Sequence, residues 1–317
     1  MRDRAKLLSK FEESEPDGLV LAHHSTHAEL LLEDGTRSFA LIAPKVHKLF
    51  GIAVGDLVWT VDGATPSERV IGCRSPRGNE VRRKRGEEDK KGHVIAANVD
   101  CMAITAALLE PPLRTGALDR YLVLASVLGI EPMIVITKTD QAGPDSELWE
   151  LVKPYEEVCT VIATSAETGD GLDDLREAIA DRITVFAGHS GVGKSSLCLA
   201  MELEDAPVAG DMSYAHGRVR GRHTTSVARL LELPFGGWVV DTPGVRAIGL
   251  IDLEKRDVDV HFPELTPFAQ GCEFADCLHL DEEGCAVIAA VEDGDIPYVR
   301  YEGYERLMLS LDEDRRR

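Results

Sequence analysis

Gly188-His189-Ser190-Gly191-Val192-Gly193-Lys194-Ser195 decides the reading of this 317-residue chain. The run fits the phosphate-loop pattern, in which a glycine turn ends in Gly-Lys-Ser. Just upstream, Ile183-Thr184-Val185-Phe186-Ala187 is apolar and β-branched. Just downstream, Ser196-Leu197-Cys198-Leu199-Ala200-Met201 continues in a helical pattern. A strand that feeds a glycine turn and opens a helix is the context the pattern needs. The glycines let backbone N–H groups converge on phosphate oxygens. Lys194 would reach the terminal phosphates and Ser195 would ligate Mg²⁺. Gly188, His189, Ser190, Gly191, Val192, Gly193, Lys194, Ser195 and Ser196 are therefore the candidate phosphate-binding residues. They specify a nucleoside triphosphate and leave its base open.

Other strand ends address the base. Thr137-Lys138-Thr139-Asp140 follows the apolar run Met133-Ile134-Val135-Ile136. A carboxylate at Asp140 can accept from both N1–H and the exocyclic amine of guanine, an edge that adenine lacks. Lys138 would lay its stem across the base. Ser165-Ala166-Glu167-Thr168-Gly169 ends a further strand. Its backbone at Ser165 and Ala166 would close over the guanine carbonyl, or the segment is a capping box for the next helix. Asp241-Thr242-Pro243-Gly244 follows Trp238-Val239-Val240. Asp241 would reach Mg²⁺ through water, and the Gly244 N–H would sense the γ-phosphate.

In Ras-like GTPases the phosphate loop comes first and the base-reading loop later. Here Asp140 and Ser165 precede Gly188, and Asp241 comes last, which is a circular permutation. The chain resembles the ribosome small subunit-dependent GTPase A family over nearly its whole length. The matching segments include Ile95-Ala96-Ala97-Asn98-Val99-Asp100, Leu118-Asp119-Arg120-Tyr121-Leu122 and Gly191-Val192-Gly193-Lys194-Ser195-Ser196-Leu197. Gly221-Arg222-His223-Thr224-Thr225 and Asp241-Thr242-Pro243-Gly244-Val245-Arg246 complete them. Thr137 stands where the family has Asn. A hydroxyl does not reproduce both arms of an amide, so weaker guanine binding is expected. His189 stands where Gln is common, at a position that contributes mainly backbone.

The segment 210–226 is rich in Gly, Arg and His and reads as a switch ordered by γ-phosphate and Mg²⁺. Thr225, or its neighbour Thr224, would give Mg²⁺ its second hydroxyl. Ras-like enzymes orient the attacking water with a Gln directly after the switch glycine. Val245 occupies that place and cannot orient water, so slow intrinsic hydrolysis, accelerated by a partner, is expected. His223 is the in-chain candidate to position the water. Lys194, His223 and Thr225 are thus the candidate catalytic residues.

Cys272, Cys277, His279 and Cys285 place three thiols and one imidazole within 14 residues. That is a complete tetrahedral set for one structural Zn²⁺, with no ligand position left for water. The resemblance implies a zinc-stabilised C-terminal domain that docks RNA or the ribosome.

The rest of the chain supports a multi-domain organisation. Residues 19–72 carry short alternating runs separated by turns such as Glu33-Asp34-Gly35, as in a small β-barrel. The resemblance implies that this barrel is of the OB type. Between Arg74 and Lys91, eight basic residues oppose four acidic ones in a chain whose net charge is −20. This local reversal reads as a solvated linker or as a phosphate contact. From residue 94, apolar runs at 94–100, 133–136, 161–163 and 183–187 alternate with helical stretches near 118–129, 147–158 and 171–181. That is the pattern of an open, mostly parallel α/β sheet. Helical patterns return at 285–294 and 297–313.

The expected fold class is α/β, with a central circularly permuted Ras-like P-loop GTPase domain. The expected domains are an OB-type barrel over 1–75, a basic linker over 76–92, the GTPase domain over 93–250 and a helical zinc-binding domain over 251–317. No apolar stretch approaches the roughly 18 residues of a membrane span, and the N-terminus leads into no signal core. The expectation is a cytoplasmic monomer. Its partners would be GTP/GDP, rRNA and the small ribosomal subunit, and the subunit would gate GTP hydrolysis. The alternative is a nucleotide-gated RNA-docking assembly factor with negligible hydrolysis, which Val245 favours.

Overall fold

The computed structural model describes residues 2–11, 13–65, 68–83, 92–143, 145–202, 228–241 and 253–316. The chain divides into two compact units. The first comprises residues 1–101, 178–185 and 201–248; the second comprises 102–177, 186–200 and 249–317.

The first unit opens with α1 (Arg2–Leu8), β1 (Gly18–His23), β2 (His27–Leu32), β3 (Arg37–Ile42), α2 (Pro44–Leu49), β4 (Leu57–Asp62) and β5 (Arg69–Arg74). Alternation dictates the pleat: Val20, Leu30, Ala40, Val58 and Ile71 all point inward and are fully buried. β1 pairs with β2, β2 with β3, and β4 with β5, all antiparallel; β3 pairs with β5 in parallel. A β1–β4 pairing closes the five-stranded barrel. Closure removes the free edges that a small sheet would otherwise expose.

β6 (Glu80–Arg83) and β7 (His93–Ala97) form an antiparallel ribbon. The apolar run at 94–100 was expected to be a buried parallel strand of the α/β sheet. It is instead β7, and the strand that joins the sheet is β8 (Cys101–Ala107). The break falls at Asn98, whose φ of 52° is left-handed. Asn tolerates that conformation, and its side chain is held at both ends, by Gly78 N–H and by the Gly55 carbonyl, each at 2.8 Å.

The stretch taken for a basic linker or phosphate contact behaves differently where it is described. Arg77 is only 5% exposed and clamps the fully buried Asp56 with two bonds, Nε to Oδ1 at 2.6 Å and Nη2 to Oδ2 at 2.8 Å. Arg74 lies 3.9 Å from the same carboxylate. Two of the expected surface cations therefore turn inward. Residues 84–91 lie outside the described residues.

The first unit also contains β12 (Arg229–Glu232) and β13 (Trp238–Asp241). They pair antiparallel, and β13 pairs in parallel with Ile183 and Thr184 of β11 (Ile183–Ala187).

In the second unit α3 (Thr115–Leu128), β9 (Glu131–Thr137), α4 (Lys153–Glu156), β10 (Thr160–Ala163) and α5 (Leu172–Ile179, whose last two residues belong to the first unit) follow β8. The strand order is β10-β9-β8, with β9 and β10 parallel. Met133 to Thr137 are all buried, as a strand covered on both faces requires. The helix expected over 147–158 is broken into a 3₁₀ turn at Glu147–Leu151 and the short α4, which begins beside Pro154. α6 (Lys194–Ala200) follows the phosphate loop.

α7 (Thr266–Ala269), α8 (Ala286–Asp293) and α9 (Tyr298–Arg316) end the chain. They share a core with α3, in which Val123 meets Phe262, Leu265, Val287, Tyr304 and Met308. Arg300 of α9 is 1% exposed and bonds Asp119 of α3 and Glu264, lying over the rings of Tyr155 and Phe262. Among the described residues no helix is long and apolar enough to cross a membrane.

Candidate nucleotide site and metal centre

The phosphate loop is built on backbone freedom. Gly188, Gly191 and Gly193 have φ values of 140°, 81° and 98°. At Gly188 a Cβ would stand 2.2 Å from the Thr105 carbonyl oxygen of β8, so no side chain fits there. Lys194 folds back over the loop and donates to the carbonyls of Gly188 at 2.9 Å and His189 at 2.6 Å. Ser195 is half-buried in the first turn of α6, and Ser196 is exposed.

The base loop is fastened to the phosphate loop. Thr137 ends β9 and is 2% exposed. Its hydroxyl donates to the Val192 carbonyl and lies 3.1 Å from the Ala106 carbonyl. Gly193 packs against the same side chain, with its absent Cβ position 3.5 Å from the Thr137 Oγ1. Lys138 takes a left-handed φ of 57° and anchors its ammonium on the Glu110 carbonyl at 2.6 Å. Thr139 N–H donates to the Thr164 carbonyl at 3.2 Å, which ties this loop to the end of β10.

The Ser165 side chain joins its own turn to the base loop. Its fully buried hydroxyl donates to Asp140 Oδ1 at 2.6 Å. The same oxygen accepts from Glu167 N–H at 3.2 Å and Thr168 N–H at 3.1 Å, as a turn cap does. Asp140 is itself exposed. Lys138, Asp140, Ala166, Gly193, Ser196 and Leu199 line one cleft of about 670 Å³. The structure thus brings the base loop, the Ser165–Ala166 segment and the phosphate loop to a single cavity.

The cysteine cluster is equally compact. Cys272 Sγ, Cys277 Sγ, His279 Nδ1 and Cys285 Sγ all lie within 4.8 Å of one another. The Cys272–Cys285 sulfurs are 3.9 Å apart, and His279 Nδ1 is 3.5 and 3.4 Å from them. A tetrahedron with Zn–S near 2.3 Å and Zn–N near 2.0 Å has edges of about 3.5–3.8 Å, which the spacings of Cys272, His279 and Cys285 match, with Cys277 Sγ within 4.8 Å of all three. Burial pushes the Cys277 thiol up to about 12 and raises Cys285 as well. A cation there would reverse both by favouring the thiolates. Behind the ring, His279 Nε2 faces Asp259 Oδ2 at 3.8 Å, the kind of carboxylate that orients a metal-bound imidazole. Tyr301 OH donates to the His279 carbonyl at 2.8 Å and Tyr304 OH to that of Leu278 at 2.7 Å. α9 therefore holds the ligand loop by its backbone.

Comparison with known proteins agrees with this geometry. A family model described as RsgA GTPase matches residues 74–251. The chain belongs to the RsgA GTPase family. Relatives named small ribosomal subunit biogenesis GTPase RsgA include one from Photorhabdus laumondii, 37% identical over 94% of this chain and 85% of its own length. Another, from Chlorobaculum parvum, is 38% identical over 83% of this chain and 86% of its own. The crystal structure of YjeQ from Thermotoga maritima superposes with a TM-score of 0.76 at 33% identity, covering 94% of this chain and 99% of that one. YloQ, described as a circularly permuted GTPase, gives 0.71 at 28% identity, covering 95% and 96%.

Several expected site residues lie outside the described residues of this RsgA-family chain: His223, Thr224, Thr225, Gly244 and Val245. Asp241 closes β13 opposite Arg229. Reading the sequence missed the supports of the site. Glu110, Asp259, Tyr301 and Tyr304 act through backbone carbonyls, a second carboxylate or hydroxyls that no local motif announces.

Proposed function

We infer that this protein hydrolyses GTP in the maturation of the small ribosomal subunit, and that the subunit gates its turnover. The observation that carries the reading is the single cleft in which Asp140, held by Ser165, faces a phosphate loop fastened to the base loop through Thr137. A carboxylate fixed at that position selects guanine. The names carried by the relatives supply the ribosomal setting.

Water would attack the γ-phosphate in line. Lys194 and the loop amides would spread the developing charge. The hard oxygen donors of Ser195, Thr225 and, through water, Asp241 would hold Mg²⁺, which would supply charge neutralisation to the bound triphosphate. His223 would position the water. Zn²⁺ held by Cys272, Cys277, His279 and Cys285 would fix the C-terminal loop and take no part in the chemistry. The protein would act in the cytoplasm as a monomer. It would hold rRNA through the barrel and through cations that include Arg82, Arg83, Arg218, Arg220, Arg222 and Arg246. Arg74 and Arg77 pair with Asp56 inside the fold, and Arg82 pairs with Glu80, so the phosphate contacts made by the other cations would carry the counterion-release dependence on salt.

Steady-state GTP hydrolysis with small subunits, with large subunits and with neither tests the reading. Strong stimulation by small subunits alone is expected. GTP binding with no stimulated turnover overturns it in favour of the assembly-factor alternative.

A further inference from the structure

Residues 203–227 lie outside the described residues, but positions on either side of them are described, and both stand against the barrel. Glu202 and Arg229 line one cleft of about 590 Å³. Its other wall is barrel: Leu21 and Ala22 of β1, Glu29 of β2 and Arg37 of β3. Two connections cross it. Ala22 pairs with Arg229 in an antiparallel main-chain bridge. Arg37 Nη2 donates to Glu232 Oε2 at 2.6 Å, while its Nη1 lies 3.8 Å from Glu29 Oε1. β12 in turn pairs along its whole length with β13, which places Arg229 opposite Asp241.

The geometry points to Arg37 and Glu232 as a positioning pair for GTP hydrolysis, through which the barrel holds β12, the strand paired with that of Asp241. Neither residue touches nucleotide. Their side chains are 52% and 54% exposed, and an exposed ion pair adds little to folding stability. The pair is therefore poorly placed to be a fold-stabilising contact and well placed to be adjusted. A partner seated on the barrel would shed water from it and strengthen it, because the attraction rises as the local dielectric falls. Phe39, two residues along β3 and hence on the same face, is 71% exposed, so an aromatic ring stands in solvent beside the pair. Positioning β12 acts on Asp241, which lies across from Arg229 on the paired strand.

This inference rests on the subunit-gated reading above, and one experiment separates their failures. GTP hydrolysis is measured for the full chain and for Arg37→Glu, Glu232→Arg and the double reversal, each with and without saturating small subunits. Subunit affinity and melting temperature are followed in parallel. Each single reversal puts like charges face to face in the cleft. The expected result is at least a fivefold fall in stimulated kcat, with the KM for GTP and the subunit affinity within twofold of the parent. The double reversal is expected to recover at least half of the stimulated rate, which a direct partner contact by Arg37 would not allow. Unchanged stimulation in both singles overturns the proposal. So does a loss confined to Arg37→Glu, or a double variant as slow as the worse single. If the parent itself is not stimulated, the gating reading fails and this one with it.

Discussion

The hydroxyl of Thr137 donates to the carbonyl of Val192, so the end of the base-reading strand is bonded to the middle of the phosphate loop. The sequence comparison with Asn suggests a weakened guanine contact at this position. The structure gives the hydroxyl different work, since it is turned into the protein and shared between the Val192 and Ala106 carbonyls. Thr137→Val keeps the shape and removes the donor to the Val192 carbonyl, which costs about 1–3 kcal/mol. If that cost falls on the loop arrangement that receives nucleotide, GDP and GTP should both bind about tenfold more weakly. Dissociation rates of a fluorescent GDP analogue check this. An unchanged rate means that the two loops stay in register without the bond.

Asp140 makes the base choice testable apart from the loop. Ser165 holds one of its oxygens at 2.6 Å. Asp140→Asn should weaken GTP binding by at least tenfold and raise affinity for xanthosine triphosphate, whose extra oxygen suits an amide donor. Ser165→Ala should weaken GTP without that change of preference, because the carboxylate remains but is no longer aimed. Competition between the two nucleotides reads both outcomes.

The metal centre predicts one Zn²⁺ per chain, lost in Cys272→Ser or Cys285→Ser. Because the ligands must shed protons to bind, Zn²⁺ affinity should fall as pH falls. Tyr301→Phe deletes only the donor to the His279 carbonyl and should cost about 1 kcal/mol of stability with the metal retained. Metal analysis and thermal melts across pH separate the three effects. A protein that melts at the same temperature with and without chelator would remove Zn²⁺ from the structural account.

The phosphate-loop pattern and the cysteine–histidine cluster could be picked out as candidates because each is local. Gly188 to Ser195 and Cys272 to Cys285 each place the needed atoms within one short stretch. The five barrel strands were legible from alternation, and β1 to β5 fall where those runs lie. What could not be read was long-range. The assignment of 94–100 as the sheet strand failed because the turn at Asn98 depends on partners at Gly55 and Gly78. Arg74 and Arg77 look like surface cations beside Arg82 and Arg83, and only the buried Asp56 on another segment turns them inward. The Arg300–Asp119 bond spans 181 positions and has no signature in composition or period.

That bond has a pH consequence. Burial holds the Asp119 carboxyl up at about 6, against the pull of Arg300, the Tyr155 hydroxyl and Arg306, and with Glu264 adding to the rise. The unfolded value is near 3.8. Between those values the native state carries more proton than the unfolded state, so this group's contribution to stability falls as pH rises through the window. At 1.36 kcal/mol per unit the swing is about 3 kcal/mol. The stability of the parent minus that of Asp119→Asn should therefore decline from pH 4 to about pH 6 and level off above it. Urea unfolding of both proteins across that range measures the difference. Arg300→Met should lose about 3–5 kcal/mol, because the buried Asp119 and the half-buried Glu264 both lose their cation.

Arg77 separates a fold contact from an RNA contact. Its guanidinium makes two bonds to Asp56, whose carboxylate also accepts from the Ala53 N–H at 2.7 Å, and it reaches on to Glu80 of β6 at 2.8 Å. It therefore ties the barrel to the β6–β7 ribbon. Arg77→Gln should destabilise the protein by about 3–5 kcal/mol, the usual result of stranding one member of a buried ion pair. The salt dependence of RNA binding should not change, since Arg77 neutralises a carboxylate and no phosphate. Arg83→Gln on β6 should instead reduce the salt slope by about one ion. Equal loss of salt slope in both variants would put Arg77 on the nucleic acid and require Asp56 to release it on binding.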